Sequence, residues 1–222
     1  MGGNRGAGLT REMLIGTALR LLDEVGLAGL TVRRLAAELG VRSPALYWHI
    51  RTKQELLDGM AEAIVLEAGM GPPHDGESWQ EWLARRARAY RGAVLAHRDG
   101  AQLVAAARRL SPATVRRFEE ELAAMVALGF TPSLALRTIT AFTYYINGSV
   151  LQEQTAAGET ELSAEQLAAL AGALEGGASS PFFQAVRDLG APIGDQVFEH
   201  GLRSLIEGTA AELARSVKGD TP

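Results

Sequence analysis

The chain of 222 residues contains no cysteine. Disulfide bonds, thiolate nucleophiles and cysteine-bound metals are therefore excluded. No uninterrupted apolar run approaches the roughly 18 residues that a membrane-spanning helix needs, and the N-terminal stretch lacks the apolar segment of a signal peptide. We therefore expect a soluble, cytoplasmic protein without a membrane partner.

Strand-like runs, in which β-branched residues alternate with polar ones, are also missing. Alanine, leucine, glutamate and arginine dominate, and apolar residues recur at helical spacing along most of the chain. The sequence therefore predicts an all-α fold of about ten helices. The expected helices cover residues 10–25, 31–39, 79–96, 112–128, 133–155, 164–175 and 195–217, and three more begin near residues 43, 52 and 182.

A proline- and glycine-rich stretch, "GMGPPHDGES" at 69–78, divides the chain. We expect one domain at 1–68, called the head, and a second at 69–222, called the body. Residues 1–58 carry eight Lys/Arg and six Asp/Glu, against fourteen and twenty in the remainder. A slightly basic head on an acidic body is compatible with nucleic-acid binding by the head.

Residues 31–50 follow the pattern of a helix-turn-helix motif. Thr31 is the expected N-cap of a first short helix, and a glycine-containing turn follows at 39–41. Ser43 is expected to cap a second helix of about eight residues, with Pro44 at its first position. In such a motif the second helix enters the major groove of DNA.

The run Tyr47-Trp48-His49 supports the same interpretation. Consecutive helical residues face directions about 100° apart, so a helix cannot bury all three side chains. Part of this run should therefore face a partner molecule. Packing of the run between the head and the body is the alternative.

An ordered set of residues runs through the head: Gly26, Leu30-Thr31, Leu35-Ala36, Leu39-Gly40-Val41, Leu46-Tyr47 and Lys53. This set resembles the DNA-binding head of the tetracycline-repressor (TetR) family of bacterial transcription regulators. The similarity continues in the body through "GESWQEWLARRARAYRGAVLAHRDGA" at 76–101, "LGF" at 128–130 and "FEHGLRSLIEG" at 198–208. It therefore covers nearly the whole chain.

The resemblance implies a homodimer that binds a palindromic operator in double-stranded DNA. Helices 133–155 and 195–217 would form a four-helix bundle with those of the partner. The residues support this independently, because the first of these helices carries more apolar side chains than one neighbouring face needs, and the second carries a matching stripe. A monomer that buries both helices internally is the alternative.

By the same resemblance, base contacts are expected from Arg33, Ser43, Pro44, Ala45 and Tyr47, and contacts to the DNA backbone from Trp48, His49 and Lys53. Arg33 is the candidate for reading a guanine, because its guanidinium matches the O6 and N7 acceptors. Ala45 can offer a thymine only a methyl group. We therefore expect an operator different from that of the tetracycline-responsive members.

Tetracycline-responsive members bind the drug as a magnesium chelate. One histidine binds the metal, a glutamate of the partner subunit reaches it through water, and a second histidine holds the drug. The corresponding positions here are Val104, Gln152 and approximately Gly69. Valine has no donor atom, and neutral glutamine suits a hard dication poorly. The sequence therefore predicts loss of the magnesium-tetracycline chemistry, and we expect neither a metal site nor a cofactor.

The ligand-pocket positions implied by the resemblance are mostly apolar or basic, which suits a small aromatic or amphipathic molecule. They are Arg86, Tyr90, Val104, Ala107, Arg108, Leu122, Leu136, Ile139, Tyr144, Gln152, Phe183, Val186 and Leu189. Arg86 and Arg108 are expected to pair with a carboxylate or phenolate on that molecule. Solvated positions on the helix surface are the alternative for both arginines.

An enzyme is not expected, because the four histidines show no metal-ligand spacing and no catalytic constellation is suggested. The predicted function is a sequence-specific transcriptional repressor that a small-molecule inducer other than magnesium-tetracycline releases from its operator. A ligand-independent dimeric DNA-binding protein and a ligand-responsive activator are the alternatives.

Overall fold

The structure is a computed structural model that describes residues 9–156, 163–189 and 194–217. These residues form eleven α-helices and one 3₁₀ turn, and they contain no strand. The helices are α1 (Arg11–Gly29), α2 (Val32–Glu38), α3 (Ser43–Leu46), α4 (Lys53–Glu67), α5 (Trp79–Leu95), α6 (Gly100–Ala106), α7 (Pro112–Ala127), α8 (Pro132–Thr155), α9 (Ala164–Ala173), α10 (Pro181–Leu189) and α11 (Asp195–Val217). The all-α fold class is confirmed.

The head is built from α1 to α4. The Thr10 hydroxyl caps α1 by accepting a hydrogen bond from the Met13 N–H at 3.2 Å. The helical backbone of α1 is interrupted at Gly26, whose φ of +70° is accessible to glycine at little cost. Side chains from all four helices and the adjoining turn meet in the core of the head, among them Leu14, Leu35, Leu46, Ile50 and Leu56.

The turn between α2 and α3 is a glycine-based helix stop. Gly40 adopts a φ of +65°, and the N–H groups of Gly40 and Val41 donate to the carbonyls of Ala37 and Ala36 at 3.1 and 3.0 Å. This pairing satisfies the free carbonyls at the end of α2. The turn predicted at 39–41 is therefore confirmed in its geometry.

The start of α3 differs from the expectation. Its N-cap is Arg42 and not Ser43, which is already helical, and α3 spans four residues instead of eight. An N-cap side chain bonds the N–H of the second or third helical residue; the second here is Pro44, which has none, and the Ala45 N–H already donates to the Arg42 carbonyl at 2.9 Å. A side-chain cap is therefore not needed.

Helix α4 connects the head to the body. Thr52 caps it through the Glu55 N–H at 3.0 Å, whereas the Glu55 carboxylate accepts from the N–H of Arg51 at 2.8 Å. In a capping box this second bond would come from the N–H of the N-cap residue Thr52, so here it is displaced by one residue. Helix α4 contacts α1, α5 and α6.

The body is centred on α5 and α8, which pack against each other, while α11 contacts both. Trp82 and Phe142 are fully buried at this centre. The hydroxyl of Tyr145 on α8 donates to the carbonyl of Phe198 on α11 at 2.8 Å. The guanidinium of Arg91 on α5 lies 4.6 Å from the centre of the Phe198 ring, so three helices meet at that residue.

Helix α6 was not among the expected helices. It begins directly after Asp99, which has a left-handed φ of 56° and makes no side-chain cap bond. A side chain at Gly100 would collide with the backbone oxygen of Val94. Gln154 of α8 holds the start of α6, accepting from the Ala101 N–H at 3.1 Å and donating to the His97 carbonyl at 2.8 Å.

Candidate functional sites

The eight predicted DNA-contacting residues lie on α2, α3, the turn after α3 and the first residue of α4. Trp48 is 89% exposed and Tyr47 is 51% exposed, so packing between head and body does not account for either ring. Arg33, Pro44 and Lys53 are exposed, whereas Ser43, Ala45 and His49 are half-buried. The head therefore presents the rings of Tyr47 and Trp48 on its surface.

The head is attached to the body at the turn between α5 and α6. The Asp99 carboxylate accepts a hydrogen bond from the Leu27 N–H at 2.8 Å. The Asp23 carboxylate accepts from the Arg98 N–H at 3.0 Å and lies 3.1 Å from Nδ1 of His97. The end of α1 is thus fixed to the body by three consecutive body residues.

A row of polar side chains on α4 holds the segment between α6 and α7. Gln54 donates to the Ala106 carbonyl at 2.9 Å, and Asp58 accepts from the Arg108 N–H at 2.8 Å. Glu62 accepts from the hydroxyl of Thr114 at 2.6 Å and from that of Ser111. Since these three α4 residues are four positions apart, they share one helix face.

A mainly apolar cavity of about 170 Å³ lies behind this segment, between α4, α5, α6, α7 and α8. Its lining residues are Asp58, Ala61, Glu62, Val65, Ala68, Met70, Arg86, Tyr90, Val104, Ala107, Arg109, Leu110, Phe118 and Thr143. Its size and lining are those of a site for part of a small organic molecule.

A buried ion pair forms one polar wall of the cavity. The Arg86 guanidinium donates through Nε and Nη2 to the Glu121 carboxylate at 2.9–3.1 Å, and the Glu121 side chain is completely buried. The same carboxylate accepts from the Gly71 N–H at 3.2 Å. Glu121 therefore neutralises Arg86, which keeps its Nη1 donor without a partner among the described residues.

Tyr90 is another polar residue of the cavity lining. Its hydroxyl donates to the side-chain oxygen of Asn147 at 3.0 Å. Burial raises the pKa of this phenol above its ordinary value. Tyr90 therefore stays neutral and adds no charge to the cavity at neutral pH.

Only some of the predicted pocket residues reach this cavity: Arg86, Tyr90, Val104 and Ala107. Arg108 faces a separate cleft, Ile139 and Leu122 pack in the core, and Leu136, Tyr144 and Gln152 lie exposed on α8. Phe183, Val186 and Leu189 belong to α10, which packs against α9 and the 3₁₀ turn. The expected carboxylate partner of Arg86 is supplied by the chain itself, and Arg108 does not line the cavity.

The sequence interpretation missed several cavity residues. Four of them, Asp58, Ala61, Glu62 and Val65, lie on α4, and Ala68 is its C-cap residue. They recur at helical spacing and form a second face beside the buried apolar one. That spacing is the signal that could have identified them. Arg109, Leu110 and Phe118 carry no comparable signal, because their place depends on how α7 packs.

The comparison with known sequences matches this architecture in both parts of the chain. The family described as "Bacterial regulatory proteins, tetR family" matches residues 14–60. The family described as "Tetracyclin repressor-like, C-terminal domain" matches residues 72–213. The chain belongs to the TetR family. It is a transcriptional repressor of this family, with a DNA-binding and a ligand-binding domain, and its relatives are regulators and not enzymes.

Individual TetR-family relatives are similar along almost their full length. The class A tetracycline repressor from transposon 1721 of Escherichia coli is 37% identical over 215 residues, which are 95% of this chain and 96% of the relative. A TetR variant from Acinetobacter baumannii AYE in complex with minocycline has a TM-score of 0.72 and 32% identity, covering 92% and 98% of the two chains. ActR from Streptomyces coelicolor in complex with (S)-DNPA has a TM-score of 0.80 and 27% identity, covering 93% and 100%.

Two further properties of the described residues bear on function. None of their helices is long and apolar enough to cross a membrane. They also contain no cluster of three or more histidine or acidic side chains placed to hold a metal ion.

Proposed function

We propose that the protein is a homodimeric repressor that acts in the cytoplasm, binds a palindromic operator and leaves it when a small organic inducer fills the cavity. Residues 1–68 serve as the DNA-binding head and residues 69–222 as the ligand-binding and dimerisation body. The observation that carries the inducible part is the apolar cavity beside the neutral Arg86–Glu121 pair.

The dimer part of the proposal is supported by the free surface of α8. Leu136 is 56% exposed and Tyr144 is 72% exposed, and Gly148, one turn beyond Tyr144, is exposed as well. Helix α11 adds Val197, Leu205 and Ile206, which are only half-buried within one chain. Large apolar side chains left on adjacent long helices favour association with a second copy.

The inducer is a partly aromatic molecule that offers an uncharged oxygen acceptor to Arg86. Glu121 already compensates the charge of that arginine, so Arg86 has no need of a carboxylate on the ligand. Val104 faces the same cavity and supplies no metal donor. The lack of a donor at this position argues against a magnesium-tetracycline chelate, and the likeness to ActR, whose solved complex contains (S)-DNPA, supports a different ligand.

Release of DNA by the inducer requires that the inducer bind better to the DNA-free conformation than to the DNA-bound one. The two affinities are then linked, so operator DNA must weaken inducer binding by the same factor. Release follows from this difference and needs no further energy source.

Thermal-shift titration tests the proposal. A non-chelated aromatic compound that binds should add about 2.7 kcal/mol of stability at 100 times its dissociation constant, and it should release a selected operator duplex. Ala107→Phe, which fills the cavity, should abolish both effects, whereas Ala105→Phe on the exposed face of α6 should preserve them. Stabilisation by magnesium-tetracycline that depends on magnesium would contradict the proposed ligand class.

A further inference from the structure

A second concavity, here called the cleft, lies between the head and the body and encloses about 740 Å³. Its head side includes Trp48 and His49, the residues expected to contact the DNA backbone. Its body side is the segment Arg108, Arg109, Leu110 and Ser111. The cleft therefore joins the DNA-facing end of the head to a part of the body.

The arginines that line the cleft are not paired with its carboxylates. Four arginines line it, namely Arg11, Arg51, Arg108 and Arg109, beside three carboxylates, namely Glu55, Asp58 and Glu62. Within the described part of the chain, none of the four arginines forms an ion pair. Each carboxylate instead accepts hydrogen bonds from backbone N–H, amide or hydroxyl groups. The guanidinium groups are thus free for an external anion.

The body segment is held close to the DNA-contacting end of α4. Gln54, which bonds the Ala106 carbonyl, directly follows Lys53, the first residue of α4. Asp58, which bonds the Arg108 N–H, lies about 7.5 Å beyond Lys53 along the helix axis, given a rise of 1.5 Å per residue. An extended arginine side chain can span that distance, and both Arg108 and Arg109 are exposed.

We propose that Arg108 and Arg109 bind phosphates of the duplex beside the site occupied by the head, so that the body of this protein contacts DNA directly. Guanidinium groups bind phosphate well, and such contacts neutralise the DNA backbone without reading base sequence. Arg11 and Arg51 extend the same positive surface toward the head.

The proposed contacts also bear on regulation. Ala107, Arg109 and Leu110 line the ligand cavity, and Arg109 and Leu110 line the cleft as well. A ligand in the cavity therefore touches the segment that carries the two phosphate contacts. This regulatory consequence rests on the proposed function, whereas the phosphate contacts themselves do not.

The test measures the affinity of the full chain for a long duplex of random sequence between about 50 and 200 mM potassium chloride. The double variant Arg108→Ala/Arg109→Ala should flatten the slope of log affinity against log salt by about 0.9 for each lost contact in each engaged subunit. Arg108→Lys/Arg109→Lys should retain most of the wild-type slope, since it keeps the charge. The fold should survive, because Arg108 holds Asp58 through its backbone N–H.

Two controls make the outcomes decisive. Arg116→Ala/Arg117→Ala removes the same charge from the exposed surface of α7, outside the cleft, and should leave the slope unchanged. Lys53→Ala should flatten the slope through the head. A slope altered by Lys53→Ala but not by the Arg108/Arg109 variant overturns the body contact alone. Equal flattening by the α7 control also overturns the body contact. If neither Lys53→Ala nor the Arg108/Arg109 variant changes the slope, both the body contact and the proposed docking of the head are overturned.

Discussion

Loss of the Glu121 carboxylate should cost more stability than any surface change in this chain. The side chain of Glu121 is fully buried and that of Arg86 is 10% exposed. Glu121→Ala leaves a guanidinium without its counter-charge and removes the acceptor of the Gly71 N–H. Breaking a buried pair from one side costs about 3–5 kcal/mol, which corresponds to a fall of roughly 10 °C in the unfolding midpoint for a chain of this size.

The assay is denaturant and thermal unfolding at one fixed protein concentration, because association with a second copy changes the apparent stability. Glu121→Gln keeps the shape of the side chain and should lose less stability than Glu121→Ala. Replacement of both partners, as Arg86→Leu/Glu121→Leu, should be less destabilising than the sum of the single changes, because no charge then remains unpaired. A loss below about 1 kcal/mol for Glu121→Ala, or strict additivity of the two changes, would refute the interpretation of this pair.

Three further substitutions test other parts of the structure. Tyr47→Ala or Arg33→Ala should abolish operator-specific binding while gel filtration shows an unaltered dimer; wild-type operator affinity in either variant would contradict the assigned roles. Arg85 lowers the pKa of Glu77 from 4.5 to about 2, with a second contribution from the His74 N–H. The contribution of the Glu77 carboxylate to the stability of the fold is therefore complete above pH 4.5 and is lost as the pH falls through about 2. Glu77→Gln should flatten the acid dependence of stability in that window, and an unchanged pH profile would argue against the contact.

The long helices could be predicted from the sequence because their pattern is local. The apolar periodicity of α1, α5, α7, α8 and α11 extends over many turns, and serine or threonine caps precede several of them. Helix α6 lacks these signals, since it has seven residues, starts at a glycine and has no side-chain cap. It exists because Gln154, more than fifty residues away, supplies bonds at its start.

The two candidate sites also differ in whether their residues are close together in the sequence. The predicted DNA-contacting residues of the head lie within a short stretch, so their surface position follows from the helix-turn-helix pattern alone. The cavity combines residues from α4, α5, α6, α7 and α8. The pairing of Arg86 with Glu121 spans 35 positions, and no spacing rule reveals it. Arg109 was likewise missed, because only the course of the segment after α6 brings it to the cavity wall.

The contact between Gly26 and Asp99 has a consequence for protein engineering. A β-carbon at position 26 would lie 2.8 Å from the Asp99 carboxylate oxygen that receives the Leu27 N–H. The end of α1 and the α5–α6 turn therefore fit each other at the level of single atoms. A head taken from this protein is not an interchangeable unit that can be grafted at the proline-rich junction. The recipient must also carry the His97-Arg98-Asp99 turn, or the transplanted α1 ends against a surface of the wrong shape and charge.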